Sequence, residues 1–169
     1  MDAKKIALTE TNCDLYEADF YAWTQEQAKF LREGVWNHLD IVNLVEEIES
    51  LGKQQRQELR NRLGILLGHL LKWEFQSNKR SKSWFVTLRE QRRRIIEILA
   101  ENPSLKPYLP EALQKAYQDG LDLAVRETRL NDRDFPPECP YNIEQVLDSN
   151  FLPGEPVKSG QNWSIKTDR

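Results

Sequence analysis

Between Asp40 and Gln76 the large apolar residues recur every three, four or eight positions, at Leu44, Ile48, Leu51, Leu59, Leu63, Leu66 and Leu70. That period lines them along one side of an α-helix and scatters them over both faces of a strand, so the segment must be helical and bury the leucine side. Asp40 has the side chain of an N-cap. The phase runs on through Gly52, a residue that either sits inside a helix or ends one. One helix from about Ile41 to Gln76, or two meeting at Gly52, fits the pattern; the unbroken phase favours one.

The flanking segments read the same way. A first helix is expected from Asp14, with Glu17 completing a capping box, to Gly34, with Leu15, Ala18, Tyr21, Ala22, Gln25, Ala28 and Leu31 on one side and Phe20, Trp23 and Phe30 broadening the apolar surface. A polar stretch, Ser77–Ser83, supplies caps for a third helix through Trp84, Phe85, Leu88, Ile95, Ile96 and Leu99, which Asn102 and Pro103 end. Pro110 fits the first turn of a fourth, with Leu113, Tyr117, Leu121, Ala124 and Thr128 inside. Three prolines between Asp134 and Pro140 exclude helix and central strand, and Asn142 with Gln145 frames a short last helix to Leu147. The expected fold is all-α: a helical bundle of about four main helices plus a short C-terminal helix, joined by irregular proline-rich connections. Residues 14–152 form one domain, 1–13 a flexible arm, and 153–169 a flexible or loosely docked tail whose one large apolar group is Trp163.

Composition narrows the function classes. A formal net charge of -3 over 169 residues gives no global field to hold nucleic acid or an anionic membrane. Cys13 and Cys139 are far apart, with no Cys-x-x-Cys pair, and read as free thiols. The first ten residues lack a signal-peptide core, and no apolar run approaches membrane-spanning length, so a cytoplasmic protein is expected. Glycine-rich phosphate loops and the Gly-x-Ser-x-Gly elbow are missing, and two histidines are little material for a metal centre. No cofactor and no metal are expected.

Several runs together carry a family resemblance: Asp19-Phe20-Tyr21 with Trp23, Glu46-Glu47-Ile48-Glu49-Ser50-Leu51-Gly52, His69-Leu70-Leu71-Lys72-Trp73, Ser83-Trp84 with Arg89-Glu90-Gln91-Arg92, Pro103-Ser104-Leu105, and Phe135-Pro136 with Cys139-Pro140. With these the chain resembles, from about Asp14 to Pro153, the uncharacterised family called domain of unknown function 29, widespread in cyanobacteria. The resemblance implies a helical fold and a bacterial cytoplasmic setting, and brings no activity or site residue with it.

Four features are candidates for function. Glu46 and Glu49 share a helix face and suit a cation or an acid–base pair, although Glu49 also has Lys53 one turn away. His69 sits among leucines, where an imidazole serves either as a ligand or base or as a hydrogen-bonded core residue. On a continuous helix it lies about 30 Å from Glu46 and Glu49, so a shared site needs a break at Gly52 or a second subunit. Residues 79–94 carry Lys79, Arg80, Lys82, Arg89, Arg92, Arg93 and Arg94 against Glu90 alone, with Trp73, Phe75, Trp84 and Phe85 close by, the minimum description of a basic, base-stacking patch. Arg89, Arg92 and Arg93 are also spaced to pair with the acidic helix. Trp23, Trp73 and Trp84 suit the core, whereas Trp36 falls in a turn and suits an exposed anchor for a partner.

The preferred reading is a non-enzymatic bundle that binds a protein, through a charged groove or by self-association. Its rivals are a nucleic-acid binder using residues 79–94, and an enzyme or metal protein using Glu46, Glu49, His69 and nearby arginines.

Overall fold

The computed structural model describes residues 15–156, and among them there is no strand. Helix α1 covers residues 15–18, α2 Phe20–Glu33, α3 Ile41–Phe75, α4 Lys82–Glu101, α5 Leu109–Glu127 and α6 Ile143–Leu147, with short 3-10 turns at Trp36–His38, Ser77–Lys79, Pro103–Tyr108 and Asp132–Asp134. They gather into two compact units that divide between Gln54 and Gln55. Met1 to Asp14, including Cys13, and residues 157–169, including Trp163, lie outside the described residues, as do the expected arm and most of the tail.

In the first unit the expected single helix to Gly34 is two. Asp19 leaves the helical region (φ -150°), and its side chain accepts from the Ala22 N–H at 3.0 Å, capping α2 anew. A short carboxylate competes with its own backbone in this way wherever a helix can restart. Gly34 closes α2 as expected: at φ 69° it lets the Val35 and Gly34 N–H groups reach back to Phe30 and Leu31, a Schellman arrangement.

On α2 Trp23 is buried, as expected, but Gln27 is buried with it, whereas Tyr21 and Leu31, expected inside, are exposed. Tyr16, Phe20 and Trp23 form one aromatic cluster with ring centroids 4.9–5.7 Å apart. The same side is tied to Asp40, which accepts from Trp23 Nε1 at 3.2 Å and gives its own N–H to Gln27 Oε1 at 2.8 Å. Large rings and a polar knot outweigh the alanine-rich side. Asp40 is also the cap the sequence marks, accepting from the Asn43 backbone N–H at 3.4 Å.

Helix α3 is continuous through Gly52, and its leucine side divides in two. Leu59, Leu63, Leu66 and Leu70 are fully buried, the spine of the second unit's core, while Ile48 and Leu51 are 67% and 61% exposed. Around the spine pack Phe85, Leu88, Ile95 and Leu99 of α4 and Ala112, Ala116, Tyr117 and Leu121 of α5. Ile96 faces out, a departure from the expected inner face of α4.

α3 and α5 approach closely where glycines face each other. A Cβ on Gly120 would lie 2.9 Å from the Gly64 carbonyl oxygen, and one on Gly68 would lie 2.8 Å from that of Gly120. Ser81 caps α4, Pro110 lies in the first turn of α5, and Asn142 and Gln145 form the expected capping box on α6.

Candidate functional site

In the second unit two arginines of the basic segment are buried. Arg92 lies on the same helical stripe as Leu88, Ile95 and Leu99, and its guanidinium donates to the carbonyls of Val146 (2.9 Å), Ser149 (3.4 Å) and Phe151 (2.7 Å). Burial holds its pKa down at about 10. Arg80 donates to the carbonyls of Trp73, Pro153 and Glu155 and lies 5.1 Å from the centre of the Trp73 ring. Both cations clasp the segment after α6, so residues 153–155, expected in the loose tail, are held.

The other members of that segment are more exposed. Arg93 and Arg94 share Glu97, at 2.8 and 3.3 Å. Lys79, Lys82 and Arg89 are exposed. In the first unit Glu49 meets Lys53 at 3.7 Å, and Glu47 accepts from the Tyr16 hydroxyl at 2.6 Å. Glu46 is exposed.

His69 is buried on α3, and its Nδ1–H donates to the Ile65 carbonyl at 2.9 Å. Burial first, and the Lys72 charge second, push its pKa down, so the ring is held neutral. Lys72, which sequence reasoning passed over, is 1% exposed; it donates to Glu127 at 2.6 Å and sits 4.4 Å from the centre of the Trp84 ring. That hydrogen bond holds the Glu127 carboxyl below its usual range. The break at Gly52 that would bring His69 to Glu46 and Glu49 within one chain is absent. Among the described residues no group of three or more His, Cys, Asp or Glu side chains is placed to hold a metal ion.

Cavities open among the described residues of this unit. One of about 260 Å³ is walled by Phe85, Leu88, Ile96 and Leu147, with Arg89 and Arg93 also lining it. Another, about 680 Å³, lies between α5 and residues 137–144 and includes Tyr117, Cys139 and Tyr141. Burial pushes the Cys139 thiol up, away from the thiolate a nucleophile needs. The Tyr117 hydroxyl donates to the Pro136 carbonyl at 2.5 Å, and burial pushes its pKa up to about 12. Tyr141 donates to Glu74 at 2.6 Å and is pushed up by burial and by that carboxylate.

These phenols set an alkaline limit. An unfolded tyrosine titrates near 10, so above that pH the unfolded chain releases protons that the folded one keeps, and stability falls. The stabilisation is complete below pH 10 and is lost as pH rises through about 12. Thermal unfolding across that window should show Tm dropping steeply, and Tyr117→Phe should flatten the drop; an unchanged slope in the variant would contradict it.

The first unit has a different character. It buries only Trp23 and Gln27 among its described residues, yet carries nine of the twelve large apolar side chains that the described residues expose. Five lie on the first three turns of α3: Ile41, Val42, Val45, Ile48 and Leu51. Trp36, the expected anchor, is 66% exposed. Exposed apolar groups scattered singly are ordinary, and here they cluster.

A long helix, an all-α fold and an apolar core crossed by buried arginine clasps define the class of the chain as a helical protein. The chain belongs to the family described as Domain of unknown function DUF29, whose model matches residues 15–152. Searches of curated proteins and of solved structures find no match. No helix of the described residues is long and apolar enough to cross a membrane.

Proposed function

We propose that this chain is a non-enzymatic, bacterial cytoplasmic protein that acts by binding another protein chain, with the first unit as its contact element. One observation carries the reading: among its described residues that unit exposes nine large apolar side chains and buries two residues. Apolar surface leaves water at about 25 cal/mol per Å², so a partner that covers these groups gains what the isolated unit forgoes. The basic segment supports nucleic-acid binding less well, since Arg80 and Arg92 are given to backbone carbonyls and Arg93 and Arg94 to Glu97.

A photo-crosslinking residue placed at Tyr21 or Val42 of the full chain in cells should yield protein adducts, while one at exposed Gln114 of the second unit should not. No adduct from the first unit removes the reading. Affinity for DNA or RNA that drops steeply with salt would move the assignment to Lys79, Lys82 and Arg89.

A further inference from the structure

We infer that the partner of the exposed α3 face is a second copy of this chain, its α3 crossing the first in antiparallel sense at Leu51, beside Gly52. The inference deepens the protein-binding reading and rests on it. Gly52 is the first observation. Gly64, Gly68 and Gly120 each stand where a side chain would strike a neighbouring helix, but a Cβ on Gly52 would meet nothing within 4 Å. An interior helix glycine facing open space is explained when another backbone comes close to it, as happens at the other three.

Charge is the second observation. At 100° per residue Ile48 and Gly52 lie in line on α3, with Leu51 on one flank and Glu49 and Lys53 on the other. Glu49 and Lys53 are equally distant in sequence from Leu51. A two-fold axis at Leu51 therefore sets Glu49 of each copy against Lys53 of the other, and Gly52 of each level with Ser50 of the other. It also brings the two Leu51 side chains together. A parallel copy would set Glu49 on Glu49 and Lys53 on Lys53. The present Glu49–Lys53 contact is long and exposed, at 3.7 Å with 77% and 64% of the lysine and glutamate side chains accessible, and both groups are available to exchange partners. Such an interface is isologous: each contact occurs twice, and every substitution acts twice.

Sedimentation of the full chain over a concentration series tests this directly. The expected result is a monomer–dimer equilibrium. Glu49→Lys should weaken it about tenfold, because the two-fold breaks the pair in both places, and adding Lys53→Glu should restore it. Gly52→Leu should weaken it tenfold or more by filling the crossing, and should spare the fold, since among the described residues a Cβ there meets nothing within 4 Å. A monomer at every concentration overturns the inference, and so does a dimer indifferent to Gly52→Leu. A dimer that Lys53→Glu fails to rescue overturns the antiparallel register. A monomer whose first unit still crosslinks to a different protein in cells sinks the second copy alone and leaves the protein-binding reading standing.

Discussion

Arg92→Met is expected to destabilise the chain by about 3–5 kcal/mol in denaturant unfolding, the cost of removing one side of a buried charged contact. The methionine fills much the same space, so the loss measures the hydrogen bonds. Val146, Ser149 and Phe151 would each keep a carbonyl that had a guanidinium donor and now has none. Arg92→Lys should fall between, because an ammonium keeps the charge but cannot span three acceptors in the fixed fork that a guanidinium offers. Arg93→Met is the control: Arg93 pairs with Glu97 at 2.8 Å on the exposed side of the same helix, and its loss should cost under about 1 kcal/mol. Burial lowers the Arg92 pKa only to about 10, so the side chain stays charged below that pH and the loss should not vary with pH there. A loss no larger than that of Arg93→Met would show that the segment after α6 is held by its apolar contacts, with the clasp adding nothing.

What could be read from the sequence was the part fixed by local chemistry. The phase of Leu59, Leu63, Leu66 and Leu70, the left-handed end at Gly34, the cap at Asp40 and the box at Asn142 and Gln145 each depend on residues within one or two turns, and each stands as expected. On α2 the burial of Trp23 was legible, but Gln27 in place of Tyr21 and Leu31 was not, because the contacts of Trp23 and Gln27 with Asp40 span 13 to 17 residues and join polar atoms that periodicity does not weigh.

Arg92 shows a readable signal passed over. It lies in step with Leu88, Ile95 and Leu99, but a guanidinium counts as a surface group until its acceptors are known, and those are carbonyls more than 50 residues away. Lys72 was hidden in the same way by Glu127. As for the contact surface, the apolar spacing of Ile41, Val45 and Ile48 is plain in the sequence, yet a stripe says only that something covers it. Whether that is the same chain or another is settled by three-dimensional packing, which here buries Leu59 and leaves Ile48 exposed.

Gly120→Ala is expected to cost about 2–3 kcal/mol, although alanine is the better helix former by about 1 kcal/mol. The added methyl would stand 2.9 Å from the Gly64 carbonyl oxygen, 2.9 Å from Leu67 Cβ and 3.0 Å from the Gly68 amide nitrogen. Two of those are backbone atoms of α3, which cannot turn aside as a side chain can, so α3 and α5 must separate and loosen the contacts of Leu63, Leu67 and Leu121 along the crossing. The same substitution at Gly52, also inside α3, meets open space within the single chain and, at concentrations low enough to keep the chain monomeric, should raise stability by up to about 1 kcal/mol. Denaturant midpoints for the two variants should therefore move in opposite directions. Were both to rise, the close approach of α3 and α5 would be looser than the distances at Gly64, Gly68 and Gly120 require, and their glycines would have no steric reason.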